Sequence, residues 1–293
     1  MKTALAILLA LAGAAHADTL TVGLFAPTAP FPSTAARVEL ATRLGDDLGK
    51  ALGGSGAGKV FARAADFAAA VKRGEVGVAL VDATYLAVAG GNYTVVAAAV
   101  RGGDTAHGWQ LVARGADKLA GLRGKHVLVP AVGGRETDFV LDALLGGEVK
   151  RDYFGKIEAA PDTVSALAAV ALGKADAAFV PTGVELPAGA SVVLKLPSLS
   201  GPVLVAYSAL TAQQRATIAS AVASFHGDAT VAGFRGGDAE AVRGIAHRLV
   251  PPVKRGPLAV PAIRLLVGDL VEGRVTAIER TPATAFAVAP DHR

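Results

Sequence analysis

The sequence predicts an α/β fold built as two similar α/β lobes joined by a two-strand hinge. Three observations carry this. The stretch 119–182 reads as a strand, a glycine turn, two helices and a second strand, which is one complete lobe returning to a parallel strand. The phrase Val71-Lys72-Arg73-Gly74-Glu75-Val76-Gly77-Val78 parallels Ala171-Leu172-Gly173-Lys174-Ala175-Asp176-Ala177-Ala178, each joining a helix to a strand through one glycine. Two separate segments, around 95–113 and 191–207, carry strand pairs that leave and re-enter the first lobe.

The chain has 293 residues, 52% hydrophobic and 18% charged, enough apolar material for one or two domains with buried cores. Its net charge of +4 comes from scattered basic residues with few aromatics nearby, which argues against a nucleic-acid partner. There are no cysteines, which excludes disulfides, thiolate metal sites, cysteine nucleophiles and a lipid-modified cysteine. Met1-Lys2-Thr3 precedes an apolar run ending Ala15-His16-Ala17, so a signal peptide over 1–17 cut after Ala17 and a periplasmic mature protein are expected. The expected organisation is lobe 1 from 18 to 100, lobe 2 with its hinge crossovers from 101 to 202, and 203–293 as a return to lobe 1 with a tail.

Taken in order, Thr19 to Leu24 is the first strand, and Pro27, Pro30 and Pro32 delay the next helix until Ser33 or Thr34, either of which suits a cap for a helix reaching Lys50. Gly53 to Lys59 has the spacing of a phosphate-cradling loop, but it follows a helix and carries Val60 where a Ser or Thr is needed. It is read as a flexible turn into a strand over 60–63. Asp66 is read as the cap of a helix over 67–73. The strand 76–81 then delivers Asp82, Thr84 and Tyr85 to the edge where Thr28 and Ser33 lie, with Asp82 or Thr84 able to cap the next short helix.

In the second lobe the strand 125–129 runs into Gly133-Gly134-Arg135-Glu136-Thr137 and a helix over 139–145. A further helix over 162–172 leads to the strand 175–180, after which comes Thr182. Helices over 211–225 and 238–249, capped by Thr211 and Asp238, a helix over 261–271 and a strand over 274–279 complete the chain. Ligands collect at the carboxyl ends of strands in open α/β sheets. The candidate ligand-binding residues are therefore Thr28, Ser33, Thr34, Asp82 and Tyr85 from one lobe, and Gly133, Gly134, Arg135, Thr137 and Thr182 from the other.

Trp109-Gln110-Leu111-Val112-Ala113-Arg114 followed by Leu119-Ala120-Gly121-Leu122-Arg123-Gly124-Lys125 resembles the crossover strand and lobe entry of type II periplasmic solute-binding proteins, most closely the phosphate, phosphite and phosphonate (PhnD-like) group of ABC transporters. Ser165-Ala166-Leu167, Gly173 and Asp176-Ala177-Ala178 extend the likeness. The resemblance implies a monomer that captures a small polar, anionic solute of phosphate or phosphonate type between its lobes and delivers it to an ABC permease in the inner membrane. It implies no cofactor and no catalytic or metal-binding residue. In the group the second-lobe turn is Ser- and Thr-rich; here it is Ala131 to Thr137, where glycine N–H groups and Arg135 would have to hold the anion.

Two other classes suit the same scaffold: an enzyme, or a sensor or adaptor docking on a membrane receptor. The histidines outside the leader (His107, His126, His226, His247, His292) share no metal-ligand spacing, and no G-x-S-x-G elbow occurs. The tail from Pro251 is the sequence feature that leaves room for the receptor reading.

Overall fold

In the computed structural model, residues 19–207 and 210–250 are described. Two mixed sheets share one plan. The first has strand order β2-β1-β3-β10-β4-β11 and the second β7-β6-β8-β5-β9. The first comprises β1 (Leu20–Phe25), β2 (Gly56–Val60), β3 (Val78–Asp82), β4 (Tyr93–Val100), β10 (Pro202–Tyr207) and β11 (Gly233–Gly236). The second comprises β5 (Ala106–Arg114), β6 (His126–Pro130), β7 (Lys156–Ala160), β8 (Ala177–Pro181) and β9 (Ala190–Ser200). In each, three parallel strands (β2-β1-β3 and β7-β6-β8) are followed by an antiparallel strand that has just arrived from the other sheet, β10 or β5. The chain crosses between sheets at 101–105 and at Gly201, where the Gly201 N–H donates to the Thr105 carbonyl at 2.8 Å.

The central strands are buried throughout, as β3 and β8 show, because helices cover both faces of a parallel sheet. In the first lobe these are α1 (Thr34–Ala51), α2 (Ala64–Lys72), α3 (Ala83–Ala89) and α6 (Ala212–Ala223). In the second they are α4 (Glu136–Asp138), which continues as a wide π-type turn over Phe139–Leu144, and α5 (Thr163–Ala171). α7 (Glu240–Arg248) packs against α3 and also against the 139–144 turn and β9, so it bridges the lobes.

The repeated phrase has a common backbone cause. Gly74 and Gly173 have φ of 72° and 67°. After α2 the N–H of Gly74 donates to Val71 and that of Glu75 to Ala70; after α5 the N–H of Gly173 donates to Val170 and that of Lys174 to Ala169. Both helices end in the same paired reverse bonds, which need a left-handed residue.

Several local expectations are corrected. The glycine-rich stretch is itself strand: β2 covers Gly56–Val60, and the strand read over 60–63 does not form. A β-carbon on Gly56 would collide with the Gly45 carbonyl oxygen, and one on Gly58 with the backbone of Ala41, so these glycines let α1 lie directly on the strand. α2 starts at Ala64 with Arg63 in the cap position, and Asp66 pairs with Arg63 instead of capping. The helix expected over 139–145 begins at 136 and is of π type from 139. The elements expected over 261–271 and 274–279 lie outside the described residues.

Candidate functional site

The carboxyl ends of the parallel strands of both lobes meet. From the first lobe comes the loop after β1, held by Asp82 at the end of β3: the Thr28 N–H donates to Asp82 Oδ2 at 2.7 Å. From the second comes the start of α5, whose Asp162 caps Ser165 N–H at 2.7 Å. The Thr163 N–H donates to the Pro27 carbonyl at 3.1 Å, and its hydroxyl lies 3.0 Å from the Thr28 carbonyl oxygen and 3.3 Å from that of Pro27. Beside this seam Arg37 of α1 pairs with Asp162 at 2.6 Å, both side chains mostly buried. Burial alone would raise the Asp162 pKa, but the Ser165 N–H and the Arg37 guanidinium outweigh it and hold the carboxyl below its ordinary range.

Asp82 is 1% exposed. Desolvation pushes its pKa up to about 7, against the opposing pull of the Thr28 N–H. Its Oδ1 and the Thr84 hydroxyl have no partner in the described structure, so the end of β3 holds two buried polar atoms in reserve. Asp82 does occupy the cap position of α3, yet its carboxylate bonds Thr28 and not the helix, a correction to the capping alternative. Tyr85 is buried against Phe25 and Phe67, with ring centroids 4.9 and 5.7 Å away, and the Gly133 backbone lies against its ring.

Along the seam the lobes are closed on each other, leaving a void of about 20 Å³ edged by Thr28, Arg101, Trp109 and Thr230, about the space of one water. Next to it, at the hinge, an open pocket of about 520 Å³ is lined by Arg101, Asp104, His107, Thr182, Ser198 and Thr230 among others. His107 stays neutral there, because burial first and the nearby Arg101 charge second bring its pKa down to about 4.

Residues 28–243 match the family model described as ABC transporter, phosphonate, periplasmic substrate-binding protein. The chain belongs to this family. It is a family of transport components, and the two mixed sheets are those of its solved members. A binding-protein component of an ABC phosphonate transporter from Pseudomonas aeruginosa superposes with a TM-score of 0.62 at 16% identity, covering 78% of this chain and 84% of that one. PhnD1 from Prochlorococcus marinus in complex with methylphosphonate gives 0.61 at 13% identity, covering 79% and 97%. A protein from Xanthomonas citri bound to ATP gives 0.59 at 13%, covering 78% and 96%. No curated protein sequence matches. Among the described residues no helix is long and apolar enough to cross a membrane.

The residues singled out from sequence separate into groups against this family frame. Thr28, Asp82, Tyr85 and Gly133 are drawn together at the seam, and Thr182 lies at the hinge pocket. Ser33 is exposed and takes the cap role, its hydroxyl oxygen accepting from the Ala36 N–H at 3.1 Å, and Thr34 is exposed in the first turn of α1. At the glycine turn, the N–H groups of Val132 and Gly134 both donate to Glu136 Oε1 at 3.1 Å. Arg135 pairs with Asp138 at 2.9 Å and donates to the Leu249 carbonyl at 3.3 Å; Thr137 stays in the short α4.

Sequence reading passed over Arg37, Arg101, Asp162 and Thr163. Asp162-Thr163 repeats at the end of β7 the arrangement of Ser33-Thr34 after β1, a polar cap beyond a parallel strand, and that symmetry was the available signal. The Arg37 clamp makes a testable latch. Arg37→Ala removes a mostly buried charged hydrogen bond worth roughly 1.5–3 kcal/mol while leaving the Asp162 cap of α5 in place. The expected result is a shift toward an open form, read as a larger radius of gyration in small-angle scattering, with little change in helix content by circular dichroism.

Proposed function

We propose that this chain is an extracytoplasmic solute-binding protein that captures a small, polar, anionic solute between its two lobes and hands it to an ABC permease. The observation that carries the reading is the meeting of strand ends and helix starts from both lobes across one seam, with the chain crossing at 101–105 and Gly201. Lobes so arranged can open and close, and a solute that makes contacts only in the closed form shifts that equilibrium by its differential binding. The ligands named for two relatives, methylphosphonate and ATP, both carry phosphorus oxyanions, which supports an anion of the phosphate or phosphonate class here. Of the residues named from sequence, Thr28 at the seam and Thr182 at the hinge pocket are the proposed solute contacts, with Asp82 and Tyr85 buried behind them and the Gly133 backbone against the Tyr85 ring as their support.

On this reading residues 1–17 are the leader cut after Ala17, the mature chain works as a periplasmic monomer, and it needs no cofactor. Native mass spectrometry of protein purified from its own periplasm tests the assignment. A small molecule that leaves on mild activation is expected; protein that is always empty, and that no periplasmic extract loads, would contradict it.

A further inference from the structure

In the closed lobes part of what the glycine turn would offer an anion is already taken: two of its N–H groups and the Arg135 guanidinium. Glu136 accepts the N–H groups of Val132 and Gly134, and Arg135 is committed to Asp138 and the Leu249 carbonyl. An intramolecular carboxylate thus sits where an incoming anion would have to bind, and it would repel one.

At the hinge one guanidinium and one carboxylate, Arg101 and Asp104, line the same pocket, and no carboxylate is bonded to the guanidinium among the described residues. Arg101 is about half buried, and burial lowers its pKa. Among the described residues its side chain makes one hydrogen bond, from Nη1 to the Thr182 carbonyl at 3.0 Å, and forms no ion pair. A guanidinium has five N–H donors in a planar fork suited to an oxyanion, and most of those on Arg101 have no protein partner among the described residues. Arg101 lines the pocket of about 520 Å³, and the hydroxyl residues Thr182, Ser198 and Thr230 share its wall.

Resting on the solute-binding reading and sharpening it, we propose that the hinge pocket, not the glycine turn, is the anion subsite, and that it takes a small organic monoanion on the Arg101 guanidinium with hydroxyl contacts from Thr182, Ser198 and Thr230. Neutral His107 supplies a hydrogen bond and no charge. Asp104, exposed on the same pocket, disfavours a second negative charge and so selects a monoanion. Arg101 ends the β4 side of the crossover and grips the end of β8, so an anion bound to it bears directly on the segment where the lobes hinge.

Calorimetry with methanesulfonate and methylphosphonate on the full chain tests this, using Arg101→Gln, Arg101→Lys, Asp104→Asn, Arg135→Gln and the exposed Arg123→Gln as a charge-matched control. Arg101→Gln is expected to weaken methanesulfonate binding about tenfold or more, with Arg101→Lys intermediate, Arg123→Gln unchanged and Asp104→Asn tighter. Thermal unfolding of each variant separates loss of binding from loss of fold, and the lysine variant carries the test if the glutamine variant does not fold. Wild-type affinity in both Arg101 variants, affinity lost through Arg135→Gln instead, or no binding of either anion by the wild type would overturn the proposal. A neutral solute found in the periplasmic protein by mass spectrometry would also overturn it while leaving the solute-binding reading intact.

Discussion

Replacing Gly58 by alanine is expected to destabilise the first lobe by about 3 kcal/mol or more, against about 1 kcal/mol for Gly53→Ala in the same glycine-rich stretch. The two substitutions act through different physics. At Gly58 an added β-carbon runs into the carbonyl group of Ala41 in α1, and backbone on backbone leaves no flexible side chain to give way. Gly45 and Gly49 of α1 face β2 in the same manner: a β-carbon on Gly45 would come within 2.6 Å of the Ala57 carbonyl carbon. Gly53 has open space around it but a φ of 79°, so alanine there costs only the left-handed strain. Urea unfolding of both variants checks this; equal shifts would mean that α1 does not lie on β2 as closely as described.

Asp82→Asn is expected to stabilise the protein in alkaline solution and to flatten its pH profile. The folded-state pKa of Asp82 is pushed up to about 7 by burial, while the ordinary value for an exposed aspartate is 3.8. Between those values the folded protein holds a proton that the unfolded chain has released. Stability from this group is therefore complete below about pH 4 and is lost as pH rises through 7. That gap corresponds to a few kcal/mol. Asparagine keeps an oxygen to accept the Thr28 N–H, so that variant escapes the loss. Urea midpoints at pH 5 and pH 8.5 should show the gap between variant and wild type widening with pH; parallel behaviour would place an ionised Asp82 in the folded protein at both.

What was legible in the sequence depended on whether the cause was local. The paired lobes could be read because a helix ending on a left-handed glycine leaves its mark in a few adjacent residues, and Gly74 and Gly173 carry it in both halves. The glycines of 53–58 read as a flexible turn, wrongly for Gly56 and Gly58, because the demand on those two comes from α1, which precedes them in the chain and packs back onto them. Asp82 reads as a helix cap from its neighbours alone; its actual partner, the Thr28 N–H, lies 54 residues away. The glycine turn reads as an open set of donors from its sequence; in the fold the Glu136 carboxylate turns back and takes two of them, the N–H groups of Val132 and Gly134. Arg101 was visible only as part of a loop between two strands, since its half-burial depends on the approach of β8 and the 229–230 loop.

Lobe closure on a solute is the claim on which the functional account stands, and the absence of cysteine makes it directly measurable. Spin labels placed through Val38→Cys on α1 and Leu172→Cys at the end of α5, both exposed and one in each lobe, report the interlobe distance by pulsed electron resonance. The account predicts a broad or two-peaked distribution in solute-free protein that narrows to the shorter distance when periplasmic extract is added. A single distance that neither extract nor Arg37→Ala alters would contradict it.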